Sequence, residues 1–345
     1  MATTFKNFTP NDTATVAKVF HEAIPVTGTI LSGTYTELNV KTFAHGMFQS
    51  VYDYPYLSSS ANKIMDIAAG YTSTSTYSAS VASQNSKKIN VYNMFCQQLA
   101  GYDTTGSIRL IDTDGDYNAG GTKMKECIFL NFTRLLSKDE IKKGSFNISV
   151  YRSGTNASMA KLETLSDYGA DTSYFVNSPA GEYGLLFSSS AATASSDVLG
   201  QVYYQAGIVV LSASVFQQTF GMASLTSSFT SSIVHTMVSG TVDQIANGLR
   251  HRITNIQFNN TTTINSKIYF CHLNPGEFNY SSNPTYLSAS KIRVKGGNPN
   301  ASPKSYVTRV GMFNDNNELL AVCSLSEPLL KDSSNSLSIR VRSDF

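Results

Sequence analysis

The sequence predicts a mainly β fold, β-sandwich-like and with two short helices, and an α+β fold is the alternative. The first observation is strict alternation of apolar and polar residues. Ser145–Arg152 ("SFNISVYR") places Phe146, Ile148 and Val150 on one face, as a half-buried strand requires. Ser336–Arg342 alternates in the same way. Both segments are therefore predicted as strands with one face on a core.

The second observation is a set of apolar runs of strand length. They are Cys127–Leu136, Gly184–Phe187 and Gly207–Phe216, and each is predicted to be a strand covered on both sides. The third observation is that polar stretches separate such segments. The Ser- and Thr-rich residues 71–80, 188–196 and 224–232 are predicted as surface loops or weak edge strands.

Two helices are predicted from their start signals. Ser137–Glu140 matches a capping box and Gly144 is a plausible stop, which predicts one or two helical turns. Thr241–Gln244 opens a longer helix, in which the apolar residues recur at helical spacing: Val242, Ile245, Ala246, Leu249 and Ile253. Gly248 within it costs about 1 kcal/mol relative to Ala, so this helix needs support from packing.

A β-hairpin is predicted over Ser305–Leu325. Asp315-Asn316 would form a two-residue turn, because both residue types tolerate positive φ. That turn pairs Met312 with Leu319 and Val310 with Ala321 on one apolar side of the ribbon. Val310 and Ala321 are therefore expected to be buried.

Length and composition limit the domain count and the partners. The chain has 345 residues, enough for one large domain or two, and a composition shift suggests a mixed N-terminal region 1–120 and a β-rich domain 121–345; a single domain is the alternative. The net charge is +2 and only 14% of residues are charged, so no field favours nucleic acid. A surface of low charge with 19 Tyr suits association with other protein subunits.

Nothing in the sequence indicates secretion or a membrane span. The N-terminus lacks a charged segment followed by an apolar one, and the longest apolar run, Gly207–Phe216, is strand-sized. The four cysteines, Cys96, Cys127, Cys271 and Cys323, are far apart in sequence. They are predicted to be reduced core thiols of a protein made in a cytoplasm.

The segment "DTDGDYNAGG" (Asp112–Gly121) carries three carboxylates at alternate positions, as calcium loops do at their start. An EF-hand loop requires Gly at position six and Glu at position twelve, whereas this segment has Gly115 at position four and Lys123 at position twelve. We therefore predict a hairpin loop and no metal for Asp112, Asp114 and Asp116, with calcium as the alternative.

No motif for catalysis or nucleic-acid binding stands out. The sequence has no nucleophile elbow, and none of its five histidines has the spacing of a zinc protease. The basic patches at Arg250–Arg252, Lys291–Lys295 and Arg340–Arg342 lack regularly spaced stacking aromatics. We expect a non-enzymatic protein without cofactor, small-molecule substrate, nucleic-acid partner or membrane partner.

Several long blocks carry a resemblance to a known family. They include "HGMFQSVYDYPYLSSSANKIMDIAAGY" (His45–Tyr71), "YYQAGIVVLSASVF" (Tyr203–Phe216), "GLRHRITNIQFNNTT" (Gly248–Thr262) and the closing "LSIRVRSDF". In order and over most of the chain, they resemble virion structural proteins of large contractile-tailed phages, especially marine and cyanobacterial phages.

This resemblance implies a late, many-copy subunit of the virion, assembled in the host bacterial cytoplasm with other virion proteins and copies of itself. The tail, baseplate or neck is the expected position; a receptor- or glycan-binding adhesin and a capsid-associated decoration protein are the alternatives. In "FNYSSNPTYLSASKIRV", Phe278, Tyr280 and Tyr286 are predicted as assembly contacts on an extended arm. Alternatively, this segment is a loop that covers the chain's own sheet.

Overall fold

A computed structural model describes the chain over residues 5–25, 40–52, 62–79, 81–117, 120–133, 136, 140–155, 158–190, 197–216, 232–281, 283–288, 291–292, 298 and 300–344. The chain divides into two compact units. The central unit is Phe20–Thr262, and the terminal unit combines Met1–Val19 with Thr263–Phe345.

Strands dominate both units. They are β1 (Thr13–Pro25), β2 (Val40–Lys41), β3 (Gln49–Tyr52), β4 (Lys63–Tyr71), β5 (Glu126–Asn131), β6 (Glu140–Ile141), β7 (Asn147–Thr155), β8 (Ser158–Ser166), β9 (Phe175–Ser178), β10 (Gly181–Leu186), β11 (Gly200–Tyr203), β12 (Ile208–Ser212), β13 (Ile253–Leu273), β14 (Leu287–Ser288), β15 (Lys291–Ile292), β16 (Lys304–Phe313), β17 (Leu319–Asp332) and β18 (Leu337–Asp344). The described α-helices are α1 (Asn85–Leu99), α2 (Ile233–Ser239) and α3 (Val242–Arg252). The predicted mainly β fold is confirmed.

The helix predicted from Thr241 is confirmed as α3. The Thr241 hydroxyl accepts a hydrogen bond from the Gln244 backbone N–H (3.2 Å), and the Gln244 side chain accepts one from the Thr241 N–H (2.8 Å). The helix predicted over Ser137–Gly144 is wrong where it is described, because Glu140 and Ile141 form β6 and pair with β13. Residues 137–139 of that prediction lie outside the described residues.

The helix α1 was not predicted from the sequence. Gln84 precedes it in a left-handed conformation (φ 52°) and makes no side-chain cap, so the usual start signal is missing. One face of α1 is nevertheless buried: Lys88, Val91, Tyr92, Phe95, Cys96 and Leu99. Packing on the sheet therefore stabilises this helix where local signals do not.

The centre of the central unit is an eight-stranded antiparallel sheet in the order β2-β3-β4-β5-β12-β11-β10-β9. In its middle, Phe129 of β5 pairs with Ala68 of β4 on one side and with Val210 of β12 on the other. Because β4 and β5 pair across position 120, the domain boundary predicted there lies inside one sheet. The structure divides the chain at residues 19/20 and 262/263 instead.

One face of this sheet is covered by α1. Phe95 stacks on Phe129 with ring centroids 4.1 Å apart. Gly70 on β4 makes this close approach possible, since a Cβ at that position would lie 2.4 Å from the Lys88 carbonyl oxygen and 2.8 Å from the Tyr92 nitrogen. The sheet and the helix therefore meet backbone to backbone at this point.

The opposite face packs on a second layer formed by β7, the first half of β13, α2 and α3. Buried Ile67, Leu130 and Val209 of the large sheet share one apolar cluster with Ile148 of β7 and Ile256 of β13. Two sheets with interleaved inner faces give the central unit its sandwich-like character.

A buried lysine connects α1 with α2. The Lys88 side chain has no exposed surface, and its Nζ donates to the carbonyl oxygens of Met237 (2.7 Å) and Val238 (3.3 Å). These carbonyls belong to the last turn of α2, where a cation is favourable. Burial nevertheless lowers the pKa of Lys88 to about 8.

A buried carboxylate holds the loop before β7. Asp167 accepts hydrogen bonds from the backbone N–H groups of Gly144 (2.7 Å) and Phe146 (3.0 Å) and from the Tyr204 hydroxyl (2.9 Å). Burial raises the pKa of Asp167 to about 6, although all three hydrogen bonds favour its charged form.

The four cysteines form no disulfide bond, which agrees with their prediction as free thiols. Cys96 and Cys127 are buried in the central unit, and Cys271 and Cys323 are half-buried in the terminal unit. Burial raises the pKa of Cys96 to about 12. No helix in the described part of the chain is long and apolar enough to cross a membrane.

Candidate functional site: an exposed ribbon and an acidic loop

The terminal unit has a thin core. The second half of β13 pairs with β18, which places Cys271 opposite Ile339 and Tyr269 opposite Val341. Ile339 and Val341 are buried, as the alternation of this segment predicts, while the residues between them face solvent. The core of this unit therefore consists of the buried face of the β13–β18 sheet and of the element that packs on that face.

The element that packs on this face is the ribbon formed by β16 and β17. Its inner side is half-buried against the β13–β18 sheet: Val307, Val310, Met312, Cys323 and Leu325. Lys331 fixes the base of the ribbon, because its buried Nζ donates to the Asn279 side chain (2.7 Å) and to the Pro275 carbonyl (3.1 Å). The ribbon is thus attached along one side.

Its outer side carries large apolar residues that are exposed: Tyr306, Phe313, Leu319, Leu320, Val322 and Leu330, with 39–66% of their surface accessible. They pair across the ribbon, Tyr306 opposite Leu330 and Phe313 opposite Leu319. A cluster of exposed apolar residues of this kind marks an interaction surface on a folded protein.

Both outer edges of the ribbon are also unpaired among the described residues, where β16 and β17 form a two-stranded sheet of their own. Unpaired strand edges offer backbone donors and acceptors to another strand. The ribbon therefore presents apolar side chains and backbone hydrogen-bonding groups together.

The hairpin prediction is confirmed in its location and wrong in its register. Residues 315–317 form a three-residue loop, closed by a hydrogen bond from the Asn314 N–H to the Glu318 carbonyl oxygen (3.0 Å). The positive φ (62°) falls on Asn317 and not on the two predicted turn residues. A bulge follows, so Met312 pairs with Ala321 and Val310 with Cys323.

The burial predicted for this hairpin is wrong as well. Val310 is half-buried and Ala321 is exposed, because the ribbon stands on a single sheet face and is not enclosed between two. A charge at Ala321 would therefore remain in contact with water.

The N-terminal segment lies along the same unit. Phe5 contacts Phe313 edge-on with ring centroids 5.1 Å apart, and Lys6 pairs with Glu277 at 2.9 Å. The Asn274 backbone N–H and then Lys6 lower the pKa of Glu277 to about 2. A groove of about 660 Å3 runs between this segment, the ribbon and the β13–β18 sheet.

The three residues predicted as assembly contacts have different environments. Phe278 is half-buried against the unit's own core and has a φ of 54°, and Tyr286 is 9% exposed. Tyr280 is 55% exposed and is therefore the member of the trio available to a partner. The second side of the hairpin, with Phe313, Leu320 and Val322, was predicted to lie nearer solvent or a partner, but its residues were not among the predicted assembly contacts.

The three aspartates of the acidic loop lie together in the central unit. Each offers a carboxylate oxygen, and these oxygens all lie within 4.8 Å of one another. The predicted hairpin is present, since Asp112 and Lys123 form an antiparallel bridge and the Thr113 N–H donates to the Thr122 carbonyl (3.0 Å). Asp112 is fully buried and pairs with Lys123 through Oδ2.

Side chains of the large sheet hold this loop by its backbone. Gln201 donates to the Asp112 carbonyl oxygen (2.5 Å), while the Tyr183 hydroxyl (2.6 Å) and the Asn177 amide (2.8 Å) both donate to the carbonyl oxygen of Gly115. Tyr117 packs inward, and its hydroxyl is hydrogen-bonded to that of Tyr203. The loop is therefore fixed to the sheet independently of any ligand.

Two of the described histidines make contacts within the chain. His45 stacks on the ring of Phe43, with centroids 5.2 Å apart, and His272 contacts the Ser338 hydroxyl (2.9 Å) across two exposed strands. His272 also interacts electrostatically with the Asp12 carboxylate, and no hydrogen bond between these two side chains is present among the described residues.

No family model matches this chain, and no curated protein and no solved structure matches it either.

Proposed function

We propose that the protein is a non-enzymatic structural subunit of a tailed-phage virion, in the tail, baseplate or neck, and that it assembles with further copies of itself through the ribbon β16–β17. The observation that carries this proposal is the exposed apolar side of the ribbon between two unpaired edges. The sequence resemblance described above supplies the phage particle as the setting.

A second copy is the partner that suits the ribbon best. Two identical ribbon edges can pair antiparallel about a two-fold axis, so that each copy supplies the same strand to the other. Such pairing would join the two ribbons into one four-stranded sheet. The exposed Leu320 and Val322 would then lie at the interface between the copies. The low proportion of charged residues, 14%, places little repulsion between copies.

The test uses the full-length chain in sedimentation velocity over a range of concentrations. We expect the wild-type protein to self-associate and Val322→Asp to weaken the association at least about tenfold, because an unpaired charge would enter the apolar contact. Val176→Asp is the matched control, since Val176 is 69% exposed on β9, the last strand of the central sheet.

A wild-type chain that stays monomeric at high concentration would contradict assembly through the ribbon, and so would equal association of both variants. Copy number in purified virions tests the position. About six to eighteen copies would support baseplate or neck, and hundreds of copies would support the tail sheath, tube or capsid. Absence of the chain from virions would contradict the proposal as a whole.

A further inference from the structure

One carboxylate oxygen in the acidic loop has no hydrogen-bond partner. Oδ1 of Asp112 is buried and accepts no hydrogen bond among the described residues, whereas Oδ2 of the same carboxylate pairs with Lys123. A buried, unsatisfied charged oxygen carries a desolvation penalty that proteins normally offset with a donor or a cation. Asp112 is fully buried, so bulk water does not supply this partner.

The orphan oxygen points into the acidic cluster. A Cβ built at Gly121 would lie 3.2 Å from Asp112 Oδ1 and 2.8 Å from Asp114 Oδ2, so the two oxygens converge on the same small region. Burial raises the pKa of Asp112, Lys123 opposes this change, and the adjacent Asp114 adds to it. With one lysine against three carboxylates, the group has a formal charge of −2.

We propose that Asp112, Asp114 and Asp116 form a binding site for a divalent cation of the calcium type. Calcium takes oxygen ligands at about 2.3–2.6 Å, so two of its ligand atoms can be up to about 5 Å apart, which accommodates the spacing of these carboxylates. Magnesium, at about 2.0–2.1 Å, allows only about 4.2 Å. The backbone anchors from Gln201, Tyr183 and Asn177 hold the ligands in place before the ion arrives.

The loop departs from the EF-hand pattern at positions six and twelve, and the structure shows how it compensates at each position. Tyr117, at position six, adopts the positive φ (56°) for which EF-hands use glycine. Lys123, at position twelve, neutralises Asp112 Oδ2 and leaves Oδ1 for the ion. Because the bidentate Glu is missing, we expect a weak site, with Kd of about 10⁻⁴–10⁻³ M.

The competing explanation is a proton. If Asp112 were protonated, it could share that proton with Asp114 and satisfy Oδ1 without a metal. The two explanations differ in what stabilises the loop at neutral pH. Added calcium would raise the melting temperature only if a cation, and not a proton, satisfies Oδ1.

The test measures the melting temperature of the metal-free full-length chain at neutral pH with and without CaCl2, and Tb3+ luminescence excited through tyrosine. Tyr117 belongs to the loop, so Tb3+ bound there would be close to a sensitising ring; because the chain has 19 Tyr, loss of the signal in the loop variants is what assigns it to this site. Asp114→Asn removes one ligand charge and Asp116→Asn does so at an exposed position. Asp171→Asn is the control for loss of an exposed charge.

We expect calcium to raise the melting temperature of the wild-type chain and of Asp171→Asn by several degrees. In Asp114→Asn and Asp116→Asn we expect at least a tenfold loss of affinity for calcium and Tb3+. A wild-type melting temperature that responds to pH but not to calcium would overturn the proposal in favour of the proton. An equal calcium response in all variants would place the ion elsewhere and overturn it too.

Discussion

The two units of this chain differ in how they bury apolar surface. In the central unit a wide sheet is covered on both faces, and residues such as Phe129 and Val209 have no accessible surface. In the terminal unit one sheet face is covered by a ribbon whose own outer side is exposed, with Leu320 at 66%. The difference indicates that the main sheet of the central unit is covered on both faces within one chain, whereas the ribbon of the terminal unit presents a cluster of apolar side chains that another chain can cover.

The largest expected effect concerns the backbone contact between β4 and α1. We expect Gly70→Ala to lower the free energy of unfolding by more than about 3 kcal/mol, because a methyl group there would overlap the backbone of Lys88 and Tyr92. Chemical denaturation of the purified variant measures this. Gly120→Ala is the control, since no atom lies within 4 Å of a Cβ at that position. Equal losses in the two variants would mean that the central unit is not tightly packed at Gly70.

The next effect concerns Asp167 and depends on pH. Its pKa is raised to about 6 by burial, so the folded protein binds a proton that the unfolded chain has already released between about pH 4 and 6. The Asp167 contribution to stability is therefore largest at about pH 4 and falls as the pH rises to 7. The cost of Asp167→Asn should shrink by about 2–3 kcal/mol over that range.

Urea unfolding of the wild-type chain and Asp167→Asn at both pH values checks this sign. Asp171→Asn, which removes a neighbouring exposed carboxylate, should show no comparable change. A cost that grows with pH would mean that the three hydrogen bonds to Asp167 outweigh its burial.

A smaller effect is expected at the turn of the ribbon, where local backbone chemistry matters more than burial. Asn317→Val should cost about 1–2 kcal/mol, because a β-branched residue tolerates a φ of 62° poorly. Hydrogen exchange of the β16–β17 amides would report the loss locally. Asn316→Val, at a residue with a negative φ, should cost less. If Asn316→Val cost more than Asn317→Val, the result would support the predicted two-residue turn at Asp315-Asn316.

The smallest effect distinguishes the two units most directly. Leu320→Ser should change the free energy of unfolding of the dilute, unassociated chain by less than about 0.5 kcal/mol, because the side chain is exposed. A large loss in thermal unfolding at low concentration would show that Leu320 is covered within its own chain, and the contrast between the units would disappear.

The parts of the fold that the sequence predicts correctly carry their signal locally. Apolar and polar residues alternate in the strands around Ile148 and Ile339, and α3 begins with a capping box. The period of the apolar residues and the capping residues are therefore enough to predict these elements. The parts that it misses depend on distant contacts. At Glu140 a capping pattern is overridden by pairing with β13, and α1 forms without a cap because its apolar face packs on β4 and β5.

The same distinction applies to the sites. The alternating aspartates indicated that three carboxylates would be close together, but their spacing could not show that Asp112 is buried with one oxygen unsatisfied. The hairpin at 315–317 was found from turn residues, whereas the exposure of its outer side follows from how few layers the terminal unit has. Burial depends on tertiary contacts, so local sequence patterns identify the elements better than their accessibility.

The distribution of the four thiols has a practical consequence. Cys96 and Cys127 are buried, so an alkylating reagent has no direct access to them. Their pKa values are also raised, so the reactive thiolate form is scarce. Cys271 and Cys323 are half-buried in the terminal unit. Brief alkylation followed by mass spectrometry should therefore label the terminal unit first. Because Cys323 lies on the inner side of the ribbon, copies that cover only the outer side should leave this thiol reactive, and a loss of labelling on assembly would mean that the inner side is closed as well.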